Sequence, residues 1–190
     1  MAIAADIVPL TGENRALTAM GLEVLRDSPR PGLRALMGET DPRIFQVSDL
    51  VFRIAPRINA AGRMEHGEQA VQLLVETDAQ RTAGLAERIE ALNTERRETD
   101  QRITEEALGQ IASEGSLQRH TTVVYHPDWH KGVIGIVASR LMETHYRPTL
   151  VFTRNGDTLA ASARSVRGFD IYQALEACSD CIEQFGGHTY

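Results

Sequence analysis

The residues best suited to chemistry stand in a few short groups. Ser162-Ala163-Arg164-Ser165 places two hydroxyls beside an arginine. Ser162 and Arg164 are two apart, so in a continuous strand their side chains share one face. A hydroxyl and a guanidinium on one face can grip one phosphate through charge-assisted hydrogen bonds. Arg57, Asn59, Gly62 and Arg63 lie among the small residues of Ala55-Pro-Arg-Ile-Asn-Ala-Ala-Gly-Arg-Met64. Small side chains let a backbone approach a ligand closely, and arginines beside them suit phosphate. The competing reading is a close-packed helix joint with surface arginines. Asp6 sits inside an apolar run closed by Pro9, which reads as the end of a buried strand. A carboxylate there is costly unless it is paired or bound to a metal. Trp129-His130-Lys131-Gly132 falls between a strand and a helix start, a geometry that can hold an anion, although a tryptophan is first a packing residue.

Cys178 and Cys181 have C-x-x-C spacing. A structural zinc site needs four ligands, and there is no second cysteine pair. A redox pair belongs at a helix N-terminus, whereas these fall in the middle of a helical pattern. They read as buried or half-buried structural thiols. The histidines are scattered and have no metal-ligand spacing.

The elements that position these groups follow from the hydrophobic period. Helical spacing covers Thr11 to Ser28, Leu33 to Met37 (with Gly38 to end it) and Gly67 to Val75. The longest pattern runs from Asp78 to Glu114, with Thr77-x-x-Gln80 as a capping box. Its centre, 93–102, has no apolar side chain, as in a helix that bridges two domains through solvent. After Gly115 the pattern becomes α/β. Strands are expected at Thr121–Tyr125, Thr149–Thr153 and Thr158–Ala163, with a turn at Asn155-Gly156-Asp157. Helices are expected at Gly132–His145 and Asp170–Phe185, the second capped by Asp170.

The 190 residues carry a net charge of −6, which argues against coating nucleic acid by bulk charge. The charge is uneven. Residues 65–114 hold 12 acids and 5 bases, a net of −7, while residues 119–170 hold 7 bases and 4 acids, a net of +3. Of the 20 basic residues only Lys131 is not arginine. Genomic base composition and phosphate recognition by the guanidinium fork both account for that bias. No apolar run approaches the ~18 residues of a membrane span. The N-terminus lacks a basic region before its apolar residues, so it does not read as a secretory signal, and a cytoplasmic location is expected.

Taken together, the segments ADIVPLTGENR (5–15), RPGLRALM (30–37), FRIAPRINAAGRM (52–64), WHKGVIGIVASRL (129–141), SARSVRGFDIYQALEAC (162–178) and FGGHTY (185–190) resemble the DHH/DHHA1 phosphoesterase superfamily. The likeness is to its branch of single-strand-specific DNA exonucleases. It implies an α/β fold: a C-terminal remnant of a DHH domain (1–40), interdomain helices with a long connecting helix (41–115), and a truncated DHHA1 domain with a small mixed sheet (116–190). It implies 5′→3′ removal of nucleotides from single-stranded DNA, in repair and recombination, with Mn²⁺ or Mg²⁺ as cofactor. Two metals would activate water and stabilise charge on the phosphate. Only Asp6 matches a metal ligand, and the chain contains no Asp-His-His triplet. The expectation is therefore a fragment that binds no metal stably and is inactive alone. The resemblance assigns Arg57 or Arg63, together with Ser162 and Arg164, to the 5′-phosphate or DNA backbone. It puts Gly186, Gly187 and His188 on the active-site face, with Trp129 and His130 as weaker candidates along the DNA path. Other readings are a DHH/DHHA1 phosphodiesterase acting on short RNA or cyclic dinucleotides, and a non-catalytic nucleic-acid-binding module.

Overall fold

The structure, a computed structural model, describes residues 2–6, 8–113 and 119–187. The chain divides into two compact units, Met1–Arg96 and Arg97–Tyr190, each with its own core.

The first unit is helical. It contains α1 (Ala2–Ala5), α2 (Gly12–Asp27), α3 (Pro31–Met37), α4 (Val47–Asp49), α5 (Ala55–Met64), α6 (Glu68–Val75) and the first part of α7 (Ala79–Ser113). Leu25, Leu36, Met37, Phe45, Leu50, Ile54, Leu73, Ile89 and Leu92 pack into one cluster. Between α4 and α5, Leu50–Ile54 is π-helical, and the Ala55 N–H donates to the Leu50 carbonyl. Pro56 explains this. Its ring crowds the carbonyl four residues back and it has no N–H to give. A widened turn ahead of it lets the helix continue. Gly32 is where α3 meets α6 backbone to backbone: a Cβ there would stand 1.9 Å from the Leu73 carbonyl oxygen.

The N-terminal reading needs correction. Ala2–Ala5 is one helical turn, with Ala4 in the core, and Asp6 follows on an exposed bend. Alanine is the strongest helix former. Among the described residues all strands belong to the second unit, so none is available here to pair with a first strand.

Helix α7 is 35 residues, about 52 Å at 1.5 Å per residue. Its start is not the expected capping box. Asp78 Oδ1 accepts the Arg81 N–H at 2.8 Å, while Glu76 Oε1 accepts the Thr77 and Asp78 N–H groups at 2.8 and 2.9 Å. A carboxylate is the stronger acceptor, so Asp78 caps in place of Thr77. Residues 93–102 are helical but not exposed all round. Asn93 and Asp100 are buried and Arg96 is half-buried, while 94, 95, 97 and 98 face water. Positions 89, 93, 96, 100, 103, 107 and 111 lie three or four apart, so one stripe runs along the helix with polar residues at its middle. Arg96 donates to Asn93 Oδ1 at 3.0 Å, and Arg140 donates to Asp100 Oδ2 at 2.8 Å.

The second unit is the α/β part: β1 (Thr122–Tyr125), α8 (Ile134–His145), β2 (Thr149–Asn155), β3 (Thr158–Arg164) and α9 (Ile171–Glu176). The sheet order is β1-β2-β3, with β1 and β2 parallel and β2 and β3 antiparallel. A parallel pair needs a crossover, which α8 supplies. Its Ile134, Val137, Ala138 and Leu141 are buried, as are the sheet residues Thr122, Val124, Thr149, Val151 and Thr153. The β2–β3 hairpin has a two-residue loop, with Gly156 at φ +64, the conformation that such loops require. The last helix is shorter than its pattern predicts. Asp170 caps it through the Gln173 N–H at 3.0 Å, but it ends at Glu176 and a 3-10 turn spans Ser179–Cys181. Ser179 and Asp180 compete with backbone hydrogen bonding and favour turns. Cys178 and Cys181 are therefore exposed rather than buried in mid-helix.

Gly32→Ala should destabilise the first unit by about 3 kcal/mol, the upper range for overpacking, because the added methyl meets backbone rather than a side chain able to swing away. Urea unfolding checks this, and an unchanged midpoint would show that α3 and α6 can move apart freely.

Candidate nucleic-acid interface

Strand β3 delivers the pair that its period of two predicts. Ser162 lies opposite Val151 and Arg164 opposite Thr149, both on the face that carries α8. Both side chains are half-buried. Arg164 is held on two sides. Its Nε donates to Ser139 Oγ on α8 at 3.0 Å, and its NH1 donates to the Ala163 carbonyl at 2.7 Å and to Ser162 Oγ at 3.4 Å. Ser139 in turn donates its hydroxyl proton to the Gly135 carbonyl at 3.1 Å. Arg164 NH2 has no hydrogen-bond partner among the described residues. It faces Gly135, where a Cβ would stand 3.4 Å from NH2 and 3.1 Å from Ser162 Oγ. The result is a guanidinium with one edge anchored and one nitrogen presented beside a hydroxyl, over a residue without a side chain. An oxyanion fits those donors. Ser165, the second hydroxyl of the motif, is buried and donates to the Phe169 carbonyl at 2.7 Å, so it serves the turn.

Arg57 and Arg63 lie on α5 in the first unit. Arg57 Nε is paired with Glu90 of α7, and its NH1 donates to the Arg53 carbonyl at 2.6 Å. Arg63, Asn59 and Gly62 are exposed. Gly186 and Gly187 are exposed beyond the 3-10 turn, while His188 lies outside the described residues.

Trp129 does not line a surface path. It is 3% exposed, and its Nε1 donates to Glu106 Oε2 of α7 at 2.7 Å. That bond, reinforced by Arg102, holds the Glu106 carboxyl below its usual value of 4.5. The Gly132, Val133 and Ile134 N–H groups, which could have faced an anion, are taken by His130: Nδ1 accepts from Gly132 at 3.1 Å and the carbonyl from Val133 and Ile134 at 2.9 and 3.2 Å.

Among the described residues no group of three His, Cys, Asp or Glu side chains is placed to hold a metal ion. The exposed Asp6 is a single carboxylate, and a dinuclear centre needs several. The residues here do not fit such a centre.

Ser139 and Gly135 are the functional candidates that the sequence pattern does not single out. Both lie within WHKGVIGIVASRL, but their link to Ser162 and Arg164 appears only once α8 packs on β3.

Residues 117–190 match the DHHA1 domain family. The chain is 39% identical over 188 residues to the single-stranded-DNA-specific exonuclease RecJ of Bacillus subtilis, covering 97% of this chain and 24% of that protein. It is 40% identical to RecJ of Salmonella typhimurium, covering 97% of this chain and 34% of that one. The chain is thus similar, over nearly its whole length, to one segment of RecJ. The crystal structure of Thermus thermophilus RecJ with Mn²⁺ superposes with a TM-score of 0.86 at 34% identity, over 99% of this chain and 28% of that one. The same protein with Mg²⁺ gives 0.84 at 32% identity, over 98% and 29%. The chain thus spans a quarter to a third of the RecJ sequences it matches, and its long helix and small mixed sheet share their fold with RecJ.

Trp129 is the sole tryptophan, so its fluorescence reports on Glu106. A carboxylate with a depressed folded-state value adds stability above its ordinary value and loses it as pH falls through the folded one. Acidification below 4.5 should therefore shift Trp129 emission and lower the melting temperature. Glu106→Gln, which keeps an acceptor but cannot titrate, should flatten the shift. A titration that persists in the variant would assign it to another group.

Proposed function

We propose that this chain is the DHHA1-bearing part of a single-stranded-DNA-specific 5′→3′ exonuclease that hydrolyses phosphodiester bonds in repair and recombination. Its share of that work is to bind the 5′ end of the strand. The observation that carries this reading is the Arg164–Ser162 pair, whose open donors sit over Gly135. In that reading 1–40 is the end of a DHH domain, 41–115 joins the domains, and 116–190 is the nucleic-acid-binding domain. Arg57 or Arg63, with Gly186, Gly187 and His188, add contacts to the same strand, and Asp6 is a metal ligand. The whole enzyme would take Mn²⁺ or Mg²⁺ and work in the cytoplasm; among the described residues no helix is long and apolar enough to cross a membrane.

Two experiments test this. The chain should bind single-stranded DNA more weakly as salt rises, because release of counterions then gains less. A 5′-phosphorylated oligonucleotide should bind better than its 5′-hydroxyl counterpart, and Arg164→Ala should lose that preference, about 1–3 kcal/mol for a charge-assisted contact. Equal binding of both ends would move the phosphate site elsewhere. With Mn²⁺ and 5′-labelled single-stranded DNA the isolated chain should release no mononucleotide. Release that disappears on Asp6→Ala would show that Asp6 belongs to a working metal centre in this chain.

A further inference from the structure

Ser139 has no direct claim on a nucleic acid, but its position determines what Arg164 can do. Its hydroxyl proton is committed to the Gly135 carbonyl at 3.1 Å, which leaves its lone pairs to accept Arg164 Nε at 3.0 Å. The Ala163 carbonyl takes NH1 at 2.7 Å. Two fixed acceptors on different nitrogens define the plane of the guanidinium. A long side chain otherwise samples many rotamers, and holding one costs entropy at each binding event. The NH2 edge is then presented where α8 has a glycine. A Cβ at 135 would stand 3.1 Å from Ser162 Oγ, close enough to displace that hydroxyl by a few tenths of an ångström, and 3.4 Å from Arg164 NH2, filling the space beside it.

We propose that Ser139 is a positioning residue for 5′-phosphate recognition, locking the Arg164 guanidinium in its binding plane, and that Gly135 is glycine so that the space beside Arg164 NH2 stays open to a phosphate oxygen. The proposal rests on the phosphate reading of Ser162 and Arg164 given above, and its test separates the two.

The dissociation constants of one single-stranded oligonucleotide with a 5′-phosphate and with a 5′-hydroxyl are measured for the 190-residue chain and its variants, and each is melted with Trp129 fluorescence as the probe. Ser139→Ala should reduce the preference for phosphate by about 3- to 10-fold, the worth of one ordinary hydrogen bond. Ser139→Thr keeps the hydroxyl and should retain the preference. In an Arg164→Ala background, Ser139→Ala should cause no further loss, since the two act as one unit. Gly135→Ala improves helix propensity, so it should lower the preference without lowering the melting temperature, a combination that general destabilisation does not give. Loss of preference in Arg164→Ala with none in Ser139→Ala would overturn the positioning role and leave the phosphate reading standing. Equal weakening toward both oligonucleotides in Ser139→Ala, with a lower melting temperature, would overturn it as well by reducing Ser139 to a structural role. Unchanged preference in Gly135→Ala would overturn the role given to that glycine. Absence of any preference in the unmutated chain would remove both readings together.

Discussion

A carboxylate buried in the middle of a long helix is tolerable only if another group answers its charge. Asp100 is 1% exposed, and Arg140 of α8 supplies that answer at 2.8 Å. Isolating a charge from water costs several kcal/mol or about that order after relaxation. Once α7 and α8 are joined there, Ile103, Ala107 and Ile111 continue the buried stripe of α7. Trp129 then finds Glu106, six residues beyond Asp100 on α7. The same α8 that anchors α7 carries Ser139 and Gly135 on its sheet side. The ion pair and the Ser139 acceptor that orients Arg164 therefore share one helix, while the phosphate donors themselves lie on β3.

Hydrophobic period sufficed wherever an element buries a plain apolar face. The helices α2, α3, α6 and α7, and all three strands, lie within a few residues of their patterns. Besides the early end of α9, period fails in two situations seen here. One is a short element at a terminus: residues 1–10 carry too few positions to separate a strand end from a turn of helix, and among the described residues no strand of the first unit is there to pair with it. The other is the stripe with a polar centre. Reading 93–102 by polarity makes it solvent-facing, but Asn93, Arg96 and Asp100 fall on the buried side of α7 and satisfy one another or reach Arg140. Burial of polar groups depends on partners far along the chain, and no local window contains them.

The site divides in the same way. Ser162 and Arg164 are legible because alternation along a strand is a local rule. Ser139, 25 residues from Arg164, is not, because the contact exists only when α8 lies on β3. Trp129 is the converse. Its neighbours His130 and Lys131 suggest an anion site, but the indole is spent on Glu106, 23 residues away. Arg57 likewise has a carboxylate partner, Glu90, that its small-residue surroundings do not announce.

The near-exclusive use of arginine gains a local meaning at position 164. The side chain there gives Nε to a hydroxyl and NH1 to a carbonyl, and still has NH2 to offer. Those donors lie in one plane and point in fixed directions. A lysine ammonium would have to reach the same two acceptors from a single nitrogen, with no second donor atom left to present to an anion. The fork also explains why the anchoring acceptors are neutral. A carboxylate in the place of Ser139 would hold the guanidinium more strongly, but it would neutralise the charge that an incoming phosphate needs. A hydroxyl whose proton is committed to the Gly135 carbonyl orients the group and leaves its charge available. Arg57 shows the other arrangement, with a guanidinium directly opposite a carboxylate. A phosphate at Arg57 would have to compete with Glu90, whereas the hydrogen-bond partners of Arg164 among the described residues are neutral. Of the two arginine environments, the one on β3 is therefore the better prepared for an anion.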